Sequence, residues 1–262
     1  LSALGVLNSK IILSFIGKIV GFIYNRCDLI LAQSHSFIGS ISKYCSRDVR
    51  IEYFPSWSEV LLPSKQIARE VEIKHNTFNI LFTGNIGEAQ DFPAVIDAVE
   101  YLKHESVRWL IVGDGRMSSW LKAEIIRRGL ESQIVLLGEF PIERMASFYN
   151  TSQALLVSLK RDHYLSLVIP GKVQSYLMSG LPILGMVQGE TERIIKNSGC
   201  GYTCKAGDGY SLAGIVKEMM SKSDKDRELM GIMGKNFAIK EFDRNTLLKK
   251  LESLMFEYVE NY

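Results

Sequence analysis

Three basic side chains stand where this sequence could hold an anion. Lys172 directly follows Gly171 at the expected start of a helix, so its ammonium group and the positive end of the helix could act on the same phosphate. Lys160 and Arg161 begin a long loop that runs to Pro170. They are candidates for a second cationic contact, with a solvated pair of surface charges as the alternative. Fixed cations of this kind suit chemistry in which a phosphate departs and gains charge.

Glycines recur at the ends of predicted strands, which is where parallel α/β sheets bind their ligands. Glycine has no Cβ atom, so it lets the backbone approach a ligand closely, and the helix that follows attracts anions at its N-terminus. One such turn carries no weight, since glycine ends many strands, but several at successive strands favour an anionic ligand. They are Gly84, Gly87, Gly113, Gly115, Gly138 and Gly171.

The elements that position these residues follow from hydrophobic periodicity. Short apolar runs alternate with helical patterns, which predicts a Rossmann-like, doubly wound α/β fold with a parallel sheet covered on both faces. Residues 1–55 predict only helix, strand, helix and strand, too little to close a domain, and residues 63–76 are typical of a connector. From Ser211 to Tyr262 the pattern is helical throughout. The predicted strands of the sheet are Asn79–Thr83, Trp109–Val112, Ile134–Leu137, Ala154–Val157, Ile183–Leu184 and Gly201–Cys204.

Composition argues against several classes of function. A net charge of +2 and a pI near 8.3 give no reason to expect a nucleic-acid partner. The four cysteines form no CxxC pair, and no pair of histidines near Cys200 and Cys204 completes a zinc site. We therefore expect reduced thiols in a cytoplasmic protein.

The first 25 residues predict a helix with one apolar face. Their uncharged stretches, such as Ile11–Gly17, are far shorter than the roughly 20 residues that a bilayer span needs. The face is typical of a buried core, with a membrane-surface or partner-docking helix as the alternative. Because the chain begins with Leu1 rather than methionine, we expect a fragment or a processed product. The face consists of Ile12, Phe15, Ile16, Ile19, Phe22 and Ile23.

Five segments follow one another in order between Asn79 and Gly209: Phe82–Gly87, Leu110–Gly115, Val135–Pro141, Pro170–Ile183 and Gly189–Glu190. This succession closely resembles the C-terminal half of retaining GT-B glycosyltransferases of family 4. Within that family it is most similar to bacterial enzymes of O-antigen and capsule assembly, of the fucosamine-transferase type. No single segment is specific, but five in register are. Weaker similarity at residues 24–34 and 53–57 matches the end of the family's acceptor domain.

The resemblance implies that this half of the enzyme binds a nucleotide-diphosphate sugar. Lys172 and Arg161 are then the candidate catalytic residues, because cations would stabilise the leaving diphosphate without a metal or another cofactor. The nucleotide base would contact the main chain around Glu139 and Phe140, with a core position as the alternative for Phe140. The acceptor would bind to a preceding half.

The chain departs from the family pattern at positions that many members fill with charged residues. Two glutamates eight positions apart are replaced by Leu167 and Ser175, which leaves Ser175 as a weaker candidate for a ribose contact, and Asn85 stands where many members have arginine. Glu190 could accept from a sugar or ribose hydroxyl, or be satisfied as a carboxylate at a helix N-terminus. The candidate donor-binding residues are Gly84, Asn85, Gly87, Gly115, Glu139, Phe140, Gly171, Ser175 and Glu190.

The resemblance also predicts the domain organisation and the reaction. We expect residues 1–62 to be the remnant of an acceptor domain with its hinge, residues 63–246 the donor-binding domain, and residues 247–262 a helix that packs back toward the acceptor domain. The expected reaction moves a hexose or amino-deoxyhexose from a donor, with UDP as the expected nucleotide, to a saccharide or lipid-linked acceptor for surface polysaccharide.

Three other functions stay open on the sequence. They are a non-catalytic donor-binding subunit of a split transferase, a GT-B-like nucleotide-sugar epimerase, and a scaffold bound to a membrane surface. For the transferase we expect a cytoplasmic location, peripheral on the inner face of the cell membrane, and no transfer activity from residues 1–262 alone.

Overall fold

The computed structural model describes residues 10–58, 68–72, 74 and 76–260, whose strands form two separate parallel sheets. Residues 1–9 of the predicted first helix and half of the predicted connector, residues 63–76, lie outside the described residues. The small sheet pairs β1 (Leu29–Ala32) with β2 (Arg50–Tyr53). The large sheet contains β3 (Phe78–Thr83), β4 (Val107–Val112), β5 (Ile134–Gly138), β6 (Ala154–Ser158), β7 (Ile183–Met186) and β8 (Gly201–Cys204).

Helices lie between the strands and end the chain, as the sequence pattern predicts. The continuous helical pattern of the last part is broken twice, at Ser223 and at Asp243. Ser223 starts a new helix because its hydroxyl accepts the Asp226 N–H. The described helices are α1 (Lys10–Tyr24), α2 (His35–Ser42), α3 (Phe92–Tyr101), α4 (Ser118–Arg128), α5 (Met145–Tyr149), α6 (Gly171–Ser179), α7 (Glu190–Ser198), α8 (Gly209–Ser221), α9 (Asp224–Phe242) and α10 (Arg244–Glu260).

The large sheet is buried on both faces. Every residue of β3, β4 and β6 is buried, which is why these strands are nearly continuous apolar runs. Alternate residues enter opposite layers: Phe82 and Trp109 lie in the core covered by α3, α4 and α8, whereas Leu81 and Leu110 lie in the core covered by α5, α6, α7 and α9. The predicted doubly wound α/β fold is confirmed.

Strand order in the large sheet places a crevice beside β3. The order is β5-β4-β3-β6-β7-β8, with all pairs parallel. The chain first adds β4 and β5 on one side of β3. It then crosses to the other side of β3 and adds β6, β7 and β8 there. Ligands of open α/β sheets bind outside the carboxyl ends of the strands at such a reversal. A ligand-binding site is therefore expected at the turns after β3 and its neighbours.

The small sheet, with α1 and α2, contacts the large domain through a few polar bonds. The Ser34 hydroxyl donates to the Leu167 carbonyl at 2.5 Å. Lys250 Nζ of α10 donates to the Tyr53 carbonyl at 2.7 Å, and Glu257 of α10 pairs with Arg50 at 2.8 Å. The last helix therefore lies against the first unit.

The apolar face of α1 is not buried by any of the described residues. Phe15 is 64% exposed, Phe22 58% and Ile23 51%. A core position for this face is therefore not realised within the described part of the chain. Among the described helices, none combines the length and the apolar character that crossing a membrane requires.

Candidate functional site

A cleft of about 730 Å³ opens at the carboxyl ends of β3, β4 and β5. A smaller cavity of about 370 Å³ lies beside it and shares Gly113, Asp114 and Glu139. Together they form one concave region at the crevice that the strand order creates. The larger cleft is lined by Thr83, Gly84, Asn85, Val112, Gly113, Asp114, Glu139, Phe140, Pro141, Ile142 and Met145.

Two glycines at the floor of this cleft are required by the backbone itself. Gly84 and Gly113 have φ values of +121° and +139°, which residues with a Cβ atom rarely adopt. Gly84 N donates to Val112 O at 2.9 Å and Gly113 N to Gly138 O at 2.8 Å. A Cβ atom on Gly113 would lie 1.9 Å from Gly84 O. The turns after three neighbouring strands are thus interlocked.

The glycines at 87 and 115 make room for a side chain, which differs from the sequence-based interpretation. A Cβ atom on Gly87 would lie 2.6 Å from Asn85 Nδ2, and one on Gly115 would lie 2.4 Å from Asn85 Oδ1. Asn85 is therefore held between two backbone turns while it lines the cleft. At Gly171, by contrast, a Cβ atom would meet nothing within 4 Å.

Lys172 lies in the first turn of α6, and its side chain points at the Gly84 turn. Its Nζ lies 3.7 Å from the centroid of the Phe82 ring and 3.3 Å from the position of a Cβ atom on Gly84. The Nζ atom is buried, and among the described residues it has no hydrogen-bond partner. Burial lowers the pKa of Lys172 to about 7. An unpaired ammonium is thus held against an aromatic face beside the cleft.

Glu139 and Phe140 stand where the end of β5 meets the cleft. Glu139 is exposed and lines both cavities. Phe140 lines the larger one, and its ring also packs on Phe148, with 4.8 Å between the centroids. The two alternatives for Phe140, core and cleft wall, are therefore both realised.

Glu190 is engaged elsewhere. Its carboxylate is 4% exposed and accepts from Ser36 N at 2.9 Å and Ser36 Oγ at 2.6 Å, while Arg193 pairs with it at 2.6 Å. Burial opposes ionisation, but the bonds from Ser36 and the charge of Arg193 outweigh it and lower the pKa of Glu190. The carboxylate joins the N-termini of α2 and α7 and does not line the cleft, which favours the reading in which it needs no ligand.

Arg161 and Ser175 are not brought to the cleft wall. Arg161 is exposed in the loop after β6. The residue before it, Lys160, donates its backbone N–H to Ala89 O at 2.8 Å. Ser175 is half-buried on α6, about one turn beyond Lys172. The structure therefore places one of the two candidate catalytic cations, Lys172, beside the cleft, and leaves the other, Arg161, away from the cleft wall.

Several lining residues were missed by the sequence reasoning. Thr83 and Val112 are the last residues of their strands, and this position at the carboxyl end of a strand is the signal that marks them. Asp114 lies within a glycine turn, where its Oδ1 accepts the Gly115 N–H at 2.7 Å. Ile142 and Met145 come from the segment after β5 and carry no local signal of this role.

Comparison with known proteins connects this chain to glycosyl transferases. Residues 63–237, more than half of the chain, match the family model described as "Glycosyl transferases group 1". WbjE of Pseudomonas aeruginosa, a probable glycosyltransferase, is 23% identical over 212 residues, which are 77% of this chain and 52% of WbjE. WcaI of Escherichia coli, named for glycosyl transfer in colanic acid biosynthesis, is 28% identical over 138 residues, 49% of this chain and 33% of WcaI. The chain thus spans about half, or less, of these relatives.

Solved structures share the fold. Sucrose-phosphate synthase from Thermosynechococcus elongatus superposes with a TM-score of 0.81 at 12% identity, covering 98% of this chain and 65% of that one. Anabaena HepE in complex with UDP and glucose superposes with a TM-score of 0.73 at 13% identity, covering 90% of this chain and 65% of HepE. The large sheet resembles the C-terminal, Rossmann-like half of GT-B glycosyltransferases.

Proposed function

The chain belongs to the group 1 glycosyl transferases, and from that premise we propose that its cleft binds a nucleotide-diphosphate sugar, with UDP as the nucleotide. The reaction transfers a hexose or amino-deoxyhexose to a saccharide or lipid-linked acceptor in the synthesis of a surface polysaccharide such as O-antigen or capsule. The names of WbjE and WcaI support a transferase of polysaccharide synthesis. The HepE complexes, one of them with UDP-glucose, support a UDP-linked donor for a fold of this kind.

The observation that carries the proposal is the unpaired Lys172 ammonium beside the Gly84 turn. A buried ammonium without a partner is costly, and a diphosphate next to Gly84 would supply the missing anion. The N-terminus of α6, where Lys172 lies, adds its own positive partial charge. We assign the diphosphate to this position, with the sugar extending toward the acceptor side.

The base and the ribose are assigned to the other end of the cleft. Phe140 offers an aromatic face and the Glu139–Phe140 main chain offers amide and carbonyl groups at the end of β5. Asn85 lies between Gly87 and Gly115 at the cleft and supplies an amide to the phosphates or the sugar.

In the proposed reaction, the acceptor hydroxyl oxygen forms a bond to the anomeric carbon as the bond from that carbon to the diphosphate oxygen breaks. The hydroxyl proton passes to the departing diphosphate, and the nucleoside diphosphate leaves. Protonated Lys172 stabilises the charge that builds on the leaving oxygen. Retention at the anomeric carbon and membership of family 4 are part of the proposal.

The acceptor half is proposed to precede the donor-binding part. In this division residues 1–62 close an acceptor domain, residues 63–246 hold the donor, and residues 247–262 return to the acceptor side, which agrees with the contact between α10 and β2. A cytoplasmic site, peripheral on the inner face of the membrane, would give access to a lipid-linked acceptor. Residues 1–262 alone are then expected to bind donor without transferring sugar, and a radiolabelled-sugar assay that detects transfer would contradict this division.

Isothermal calorimetry with UDP-glucose tests the donor site. We expect binding by the wild type and a loss of affinity of about tenfold or more in Lys172→Met, since a charge-assisted contact is removed. Lys235→Met, on an exposed position of α9, is the matched control and should bind as the wild type does. Equal binding by Lys172→Met and the wild type would remove Lys172 from the donor site.

A further inference from the structure

Tyr176 closes a gap where β3 and β6 separate. These strands pair only at Ile80–Ala154 and Leu81–Leu155, although β3 continues to Thr83. Gly84 N donates toward β4, so the preceding Thr83 N–H faces the β6 side, because successive N–H groups of a strand alternate. There it donates to the Tyr176 hydroxyl at 2.7 Å instead of to a strand carbonyl.

The contact between Tyr176 and Thr83 is buried and made by several atoms. Tyr176 is 0% exposed, and its hydroxyl also lies 3.2 Å from Thr83 Oγ1 and 3.4 Å from Thr83 O. The ring of Tyr149 packs edge-on against the Tyr176 ring, with 6.2 Å between centroids. Since a buried N–H left without its acceptor is costly, this contact ties α6 firmly to the end of β3.

The same helix carries the ammonium of the donor site. Lys172 and Tyr176 are four residues apart on α6 and therefore lie on one face. They contact consecutive residues of β3: Lys172 Nζ lies over Phe82, and the Tyr176 hydroxyl bonds Thr83. Any slide or tilt of α6 along β3 would move Lys172 relative to the Gly84 turn.

We propose that Tyr176 is a positioning residue that, through Thr83, holds α6 in the register that places Lys172 beside Gly84. The inference rests on the proposed function only in that Lys172 binds the donor diphosphate. The hydroxyl of Tyr176 touches neither donor nor acceptor in this arrangement; it acts through the helix.

The surroundings of Lys172 make its titration a direct reporter of the position of α6. Burial lowers the pKa of Lys172, and no charged side chain of the described residues contributes to that shift. The titratable groups packed nearby on α5 and α6 are the phenols of Tyr149 and Tyr176, whose pKa values burial raises further, so both stay neutral near pH 7. Water reaching Nζ would therefore raise the pKa of Lys172.

The experiment measures the Lys172 side-chain titration by NMR in the full chain without nucleotide. In Tyr176→Phe, which keeps the ring and removes the hydroxyl, we expect the midpoint to rise by about half a pH unit or more. We also expect UDP-glucose affinity to fall about threefold to tenfold. Tyr202→Phe, which removes a phenol hydroxyl from β8, three strands along the sheet from β3, should leave the Lys172 midpoint unchanged.

The outcomes separate the two proposals. An unchanged Lys172 midpoint in folded Tyr176→Phe, or an equal rise in Tyr202→Phe, overturns the positioning role. If Tyr176→Phe does not fold, Thr83→Ala decides: it removes Oγ1 and keeps the main-chain bond, so a smaller rise supports the role and no rise refutes it. Failure of the wild type to bind UDP-glucose overturns the proposed function instead, and leaves the ligand-free titration to decide the role of Tyr176.

Discussion

The buried ammonium of Lys172 should make the unliganded protein less stable, and Lys172→Met tests this. The pKa of the side chain falls from 10.5 in its ordinary state to about 7 in the fold. At about 1.36 kcal/mol per pH unit, the protonated form costs roughly 5 kcal/mol of folding free energy as an upper limit. The contact with Phe82 and local relaxation offset part of this cost, so we expect Lys172→Met to be more stable by about 2–4 kcal/mol at pH 6.

The stability of the wild type should rise with pH, because the pKa of Lys172 is lower in the folded chain than in the unfolded chain. Below about pH 7 the lysine is protonated in both the folded and the unfolded chain, so the full cost is present. Between pH 7 and 10.5 only the unfolded chain binds the proton, so the wild type gains stability as the pH rises. At pH 9 the upper limit of the cost is roughly 2 kcal/mol, and the advantage of Lys172→Met should shrink by about half or more.

Urea unfolding at pH 6, 7.5 and 9, followed by circular dichroism, measures the free energy of unfolding of both proteins. Lys235→Met, on the exposed surface of α9, is the control and should differ little from the wild type at any of these pH values. A stability difference between Lys172→Met and the wild type that does not change with pH would refute the reasoning. So would a variant less stable than the wild type at pH 6.

Three further results follow from the same geometry. UDP-glucose has no group that titrates near neutral pH, so its affinity should rise from pH 8 to pH 6 as Lys172 gains its proton; calorimetry that finds equal or weaker binding at pH 6 would contradict this. Gly113→Ala should lose more than about 2 kcal/mol of unfolding free energy, because its Cβ atom would clash with a backbone carbonyl. Gly171→Ala, the control, should be nearly neutral or slightly stabilising. Equal thermal midpoints for these two variants would argue against the interlocked turns. Glu190→Gln should lose about 1–3 kcal/mol of unfolding free energy above pH 5 and less as the pH falls, because the Glu190 carboxylate contributes stability only while it is ionised. The affinity of Glu190→Gln for UDP-glucose should equal that of the wild type. A large loss of affinity would return Glu190 to the donor site.

Local patterns were enough to predict the sheet and its glycine turns. Residues 78–83 and 107–112 form buried strands because continuous apolar runs suit a sheet covered on both faces. Gly84 and Gly113 meet because parallel neighbours end at the same edge. The convergence of Lys172 on that edge follows from its place at the start of a helix whose N-terminus faces the same side.

What the sequence could not predict depends on the direction of side chains and on distant partners. Gly87 and Gly115 lie against the Asn85 side chain, and Gly115 also lies against the Ile86 carbonyl, which spacing does not reveal. Glu190 binds Ser36, 154 residues away, because two helix N-termini meet there. No sequence signal separated these packing roles from ligand contacts.

Mapping of backbone amide shifts during a titration with UDP-glucose tests donor binding at this cleft most directly. The geometry predicts perturbations at Gly84, Gly113, Glu139 and Lys172, with none along the exposed faces of α1 and α10. No shift in these four amides at millimolar ligand, or shifts confined to another surface, would contradict a donor site at the ends of β3, β4 and β5.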